Sequence, residues 1–257
     1  PVGVLEAAYG ATAVESWMSQ ATVNTLSYTP PLGGNQNDPT VCYNATIYPI
    51  RQFTFRGVVW YQGESNADNA TEAARYDEAF STLIQSWRTL FNDSDMPFYY
   101  VQLAPYKSNN DDDWAVVRDA QLNTLSLPDT GMVVTTDVGE YNDIHPQNKV
   151  PVGDRLALHA MKEAGMNVVA SSPLYSDMAI NGNQITISFA YADGGLMIQE
   201  VVMNNAAGFL PGTDPSAFVV PASSLAGFEI AAADLNFVSA TAVISGSQVI
   251  VSSPSVS

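Results

Sequence analysis

The chain has 257 residues, 46% of them hydrophobic, enough for a real core in one large domain or two modest ones. Nine Lys and Arg stand against 26 Asp and Glu, a net charge of −17, which argues against the basic patches that nucleic acids and anionic membranes require. A single cysteine, Cys42, excludes an intrachain disulfide and a Cys-rich zinc site, and no apolar run reaches the ~18 residues of a membrane span.

Along the chain, residues 1–168 alternate short apolar runs with helical patterns. Val2 to Ala8 reads as a buried strand, and Thr12-Ala13-Val14-Glu15 has the spacing of a capping box that opens a short helix. Residues 20–50, rich in Asn, Pro, Thr and Gly, form a long excursion of the kind that covers a site. Gly57 to Tyr61 is the next strand. Ala73, Tyr76, Phe80, Leu83, Ile84, Trp87 and Leu90 then recur at steps of three and four, predicting an amphipathic helix capped by Asn69 with Glu72. Phe98 to Leu103 and Gly131 to Thr136 are further strands, with a helix over Trp114–Leu127 between them. Val152, Leu156, His159 and Ala160 predict a last helix that Gly165 ends. Strands alternating with helices imply a parallel sheet covered on both faces.

From about residue 169 the pattern becomes all-β. Asn181-Gly182 signals a hairpin, Ile185, Ile187 and Phe189 alternate with polar neighbours, and Ser245-Gly246 precedes Val249-Ile250-Val251. Two units are expected, residues 1–168 and 169–257. Both ends of the chain read as interior to a fold.

Three segments carry candidate chemistry. Asp143-Ile144-His145-Pro146 follows a strand, where ligand crevices of α/β sheets lie, and an Asp beside a His can orient the imidazole of a general base. The alternative is a surface loop with a capping Asp. Trp60-Tyr61-Gln62-Gly63-Glu64-Ser65-Asn66 ends another strand; Gln62 could donate to an oxyanion and Glu64 could position substrate, or the segment is an ordinary turn. Tyr9-Gly10-Ala11-Thr12 places backbone amides at a helix start, with Gly10 permitting close approach, or is also a plain turn. The chain has two histidines, and His159 sits mid-helix among packed positions, leaving His145 as the base candidate. Cys42 reads as a small core residue and Asp111-Asp112-Asp113 as a solvated loop or cap.

Taken in order, these segments resemble the sialate O-acetylesterase family of SGNH-type carbohydrate esterases. The resemblance is strongest at Gln62-Gly63-Glu64-Ser65 and at Asn142-Asp143-Ile144-His145-Pro146-Gln147-Asn148-Lys149. Gly10-Ala11-Thr12, Val101 to Tyr106 and Arg118-Asp119-Ala120-Gln121 add to it. It implies an SGNH-hydrolase-like three-layer α/β/α sandwich with a parallel sheet, followed by a β-rich C-terminal region. It further implies a serine esterase that removes O-acetyl groups from sugars without metal or organic cofactor. His145 is then the base and Asp143 its orienting acid; the Asp-to-His step is two here, not the three common in wider SGNH enzymes, where Asn142 now sits, so Asp137 and Glu140 stand as outside candidates. Gly10 and Gln62 then help to bind the oxyanion.

The family's usual Gly-Gly-Thr is Gly10-Ala11-Thr12 here, and Ala accepts fewer backbone conformations than Gly. The family's nucleophilic serine, in a Gly-Gln-Ser-Asn-type motif, has no counterpart in residues 1–257. Ser16, Ser19 and Ser65 lie nearest the matched motifs, none in the expected context. The expectation is therefore a nucleophile on an upstream segment or a second chain, with residues 1–257 inactive alone. The other readings are a non-catalytic carbohydrate-binding relative or inactive fragment, and a glycosidase pairing Glu64 with Asp143. The acidic, single-cysteine composition suits a secreted setting, extracellular, periplasmic or lysosomal.

Overall fold

In the computed structural model, the structure describes residues 3–107, 111–140, 142–198, 201–202, 219–220, 225 and 227–256. Its first half is built on a parallel sheet in the order β1-β2-β3: β1 (Val58–Trp60), β2 (Phe98–Val101) and β3 (Thr130–Val133). Between the strands run a short helix α1 (Gln20–Val23) before β1, then α2 (Ala70–Leu90) and α3 (Asp111–Asn123); α4 (Val150–Glu163) follows β3.

Alternation along β2 sends its side chains to two different layers. Phe98 and Tyr100 are fully buried against Phe80 of α2, and the Tyr100 hydroxyl donates to the Gln121 carbonyl of α3 at 2.8 Å. Tyr99 faces the other way and stacks on His159 of α4, centroids 5.3 Å apart. The sheet is thus covered on both faces, as the alternating pattern implied. The core centres on α2, whose Tyr76, Phe80, Leu83 and Ile84 have no exposure, each contributing about 1.5–3 kcal/mol of burial. Asn69 caps this helix, accepting from the Glu72 amide at 3.1 Å.

The second half is antiparallel. A four-stranded sheet runs β10-β11-β5-β4, from β4 (Leu174–Asn181), β5 (Gln184–Ala190), β10 (Thr241–Ser245) and β11 (Gln248–Ser252). Among the described residues this half also holds two short pairs, β6 (Val201–Val202) with β7 (Val219–Val220), and β8 (Glu229–Ile230) with β9 (Val238–Ser239). The β4–β5 hairpin turns at Gly182-Asn183, with Gly182 at φ 59°. Ile230, Val249, Val251 and Val256 form an apolar cluster separate from the α2-centred one.

Two local expectations differ. Residues 3–8 are irregular and exposed, with Val4 at 87%, instead of forming a strand. A strand exists through its ladder, and among the described residues none pairs with this segment. The capping box does not form either. The Thr12 hydroxyl donates to Tyr9 O and accepts from Trp17 Nε1, so a 3-10 turn over Val14–Trp17 starts without a side-chain cap. Among the described residues, no helix is long and apolar enough to cross a membrane.

Candidate active site

The turn after β1 depends on Gly63. Its φ is 142°, and a Cβ there would meet Val117 Cγ1, Gln121 Nε2 and Leu103 Cδ2 at 3.2–3.3 Å. The chain therefore presses Gln62 and Glu64 against α3. Gln62 is buried, and its Nε2 donates to Thr12 O at 2.9 Å and to Asn66 Oδ1 at 2.8 Å, while its Oε1 accepts from the Tyr76 hydroxyl. Both of its amide hydrogens are thus committed inside the fold, leaving no N–H for an oxyanion in this arrangement. Asn66 extends the network, accepting from Val14 N and donating to Glu15 Oε2 at 3.0 Å. Glu15 Oε1 in turn accepts from Tyr28, whose phenol burial and this carboxylate push well above its ordinary pKa. The network fastens residues 12–15 to the 62–66 turn.

Gly10 stands exposed beside this network with open space where a Cβ would sit. The neighbouring Ala11 is the residue in the left-handed region, at φ 55°. The conformational demand noted for Gly-Ala-Thr therefore falls on the alanine.

Beyond β3, the chain folds back through a bridge between Glu140 and Asp143. Asp143 Oδ1 accepts from the His145 amide at 2.8 Å and lies 3.7 Å from His145 Nδ1. The carboxylate therefore holds the loop first and the imidazole second. The His145 side chain is 88% exposed at the carboxyl edge of the sheet, open to an incoming group. Glu140 is buried; its Oε1 accepts from Gln147 N at 2.7 Å, and its Oε2 is buried without a hydrogen-bond partner among the described residues. The loop is thus clamped on both sides of His145. Asp137, the other outside candidate, is engaged elsewhere. It forms a two-pronged ion pair with Arg155 of α4, whose Nη1 also donates to Val134 O, and this hydrogen bonding holds the Asp137 carboxyl below its usual pKa.

Lys149 joins the two motifs. Its Nζ lies 4.8 Å from the Tyr61 ring centroid and interacts with Glu64, Glu140 and Asp143. Burial lowers its pKa against the pull of those carboxylates. Burial raises the Glu64 pKa, and its hydrogen bonds from backbone amides, Lys149 and His145 act in the opposite sense. The motif that contains His145 already showed this lysine; its role was not read from sequence because a cation's partners are set by packing. Of the expected residues, Asp143, His145 and Glu64 share one electrostatic cluster, and Gln62 sits behind it as a brace.

The serines nearest the motifs have visible roles. The buried Ser16 hydroxyl donates to Gln36 O and accepts from Cys42 N, and Ser19 caps α1. Ser65 lines a cleft of about 250 Å³ between the 62–72 segment and the 30–38 part of the long excursion, with Glu15, Asn35, Asp68 and Glu72. Cys42 is buried and free, and His159 is packed within the fold.

Comparison with known proteins follows the same lines. A model of the family described as carbohydrate esterase, sialic acid-specific acetylesterase, matches residues 1–162. Sialate O-acetylesterase of Homo sapiens is 28% identical over 220 residues, covering 74% of this chain and 41% of that protein. The Mus musculus protein of the same name is 28% identical over 244 residues, covering 74% and 45%. A crystal structure of a novel carbohydrate acetylesterase from Xanthomonas citri superposes with a TM-score of 0.78 at 37% identity, over 96% of this chain and 52% of that one. The chain spans less than half the length of these curated relatives.

Proposed function

The chain belongs to the sialic acid-specific acetylesterase family of carbohydrate esterases, and from that premise we propose that it contributes the base side of a serine esterase removing O-acetyl groups from sugars. The observation that carries this reading is the convergence of the exposed His145, braced by Asp143, with the Tyr61–Glu64 turn through Lys149. His145 takes the proton of a serine hydroxyl as that oxygen attacks the acetyl carbonyl, then returns it to the leaving sugar oxygen. Asp143 orients the imidazole and stabilises its protonated form. Burial raises the Glu64 pKa against the pull of Lys149 and His145, and its carboxyl group braces the turn beside the imidazole. Backbone amides at Gly10-Ala11 donate to the oxyanion; Gln62 acts through the turn it holds.

The nucleophile comes from outside residues 1–257, on the same polypeptide or another. The structural engagement of Ser16 and Ser19 supports this. The long excursion over the 250 Å³ cleft supplies the sugar's surroundings. The acidic composition supports an extracellular, periplasmic or lysosomal setting.

The test is acetate release from 4-nitrophenyl acetate and from O-acetylated sialic acid by the full gene product carrying these residues. His145→Ala lowers turnover at least ~100-fold, the loss expected for a general base. Unchanged turnover rejects the assignment. His145-dependent turnover by residues 1–257 alone rejects the external nucleophile.

A further inference from the structure

A second cavity, of about 420 Å³, opens at the opposite edge of the parallel sheet from His145. Its lining includes Thr130 and Gly131, which begin β3, whereas the His145 loop follows that strand's carboxyl end. The last turn of α4 and the residues flanking β4 and β5 close it, so it lies at the junction of the two halves of the molecule.

Two rings packed on each other lie beneath it. Tyr99 and His159 stack with an interplanar angle of 29°, and the ring of His159 occupies the space a side chain at residue 131 would need, 2.4 Å from a Cβ built there. Burial holds the His159 imidazole toward its neutral form. Its Nε2 faces the Met132 carbonyl at 3.3 Å; a carbonyl only accepts, so Nε2 carries the hydrogen and Nδ1 is an acceptor.

The rim holds Tyr191, 49% exposed and at φ 58°. A bulky side chain in the left-handed region costs about 1–2 kcal/mol relative to its ordinary conformations, and such strain gathers at sites of function. Lys162 Nζ lies 5.4 Å from the Tyr191 ring centroid, linking it to α4. Asp129, Thr130, Glu163 and Ser171 supply acceptors and hydroxyls around the rings.

The exposed Tyr191 ring, with hydrogen-bonding groups around it, matches a pyranose ring. Its C–H faces lie on aromatic rings, and its hydroxyls need partners once taken from water. Two carboxylates face one ammonium here, which disfavours an anionic sugar. We propose that this cleft is a binding site for a neutral pyranose sugar, remote from His145 and independent of the esterase chemistry.

The two-histidine composition makes the test direct, because imidazole NMR signals from His145 and His159 report the two edges separately. The chain is titrated with N-acetylglucosamine, xylobiose and, as the anionic comparison, N-acetylneuraminate. A neutral sugar shifts the His159 signals saturably with a Kd of about 1–10 mM and leaves those of His145 in place. Tyr191→Gly, which removes the ring, weakens binding at least ~10-fold; Tyr191→Phe keeps it. The proposal falls if no neutral sugar shifts His159 by about 100 mM, if Tyr191→Gly binds as the parent does, or if N-acetylneuraminate is the sugar bound.

Discussion

Ala11 shows how much one residue decides. An alanine at φ 55° holds a conformation that glycine takes without penalty, and it is exposed, so no packing is lost by replacing it. Ala11→Gly is expected to raise unfolding stability by about 0.5–1 kcal/mol, the left-handed penalty less the glycine's extra unfolded-state entropy, measured by urea denaturation. Equal or lower stability would mean that the 9–12 turn carries no strain. The alanine substitution was visible in the sequence; that it, and not Gly10, carries the positive φ was not. His145 stood out as the base candidate by count and motif, since the other of the two histidines lay in a helix pattern. Gln62 was expected to donate to an oxyanion, and its donors go instead to Thr12, 50 positions away, and to Asn66. No spacing rule reports a hydrogen bond made across that separation.

At the scale of elements, local signals worked where an element satisfies itself. The three-and-four spacing placed α2 and the Asn69 cap, because both depend on residues within a turn of each other. The strand expected at residues 2–8 and the Thr12 capping box needed partners that the tertiary structure supplies or withholds. The connection from β3 to α4 is held by Asp137 and Arg155, each with a side chain 31% exposed. Asp137→Asn should cost about 1–2 kcal/mol at neutral pH, between the values for exposed and buried pairs. The Asp137 carboxyl titrates below its unfolded value, so its stabilisation is present above the unfolded pKa and is lost as pH falls through the lower, folded one. Denaturation of parent and variant should therefore differ by a constant amount from neutral pH to about 5 and converge in more acidic solution. A difference that persists undiminished at the acid end would rule out the ion pair as its source.

For the whole molecule, a charge of −17 is carried by a folded surface whose acids repel one another. Added sodium chloride screens that repulsion over about 10 Å at 0.1 M, so the melting temperature should rise between 10 and 300 mM salt, roughly speaking. A fall would indicate that ion pairs outweigh the net repulsion. The two apolar clusters, one around α2 and one in the antiparallel sheet, are separate. By itself the sequence determined the alternating and the antiparallel halves, the principal helices, the hairpin turns and the histidine at the carboxyl edge, because periodicity, turn chemistry and residue counts are properties of neighbouring positions. Only the tertiary structure decided that Asp137 belongs to Arg155, that Gln62 spends its donors internally, that Lys149 ties the two motifs together, and that a strained Tyr191 rims a cleft over His159. Those outcomes depend on which groups packing brings within hydrogen-bond or ring-contact distance, and that is settled between segments tens of residues apart.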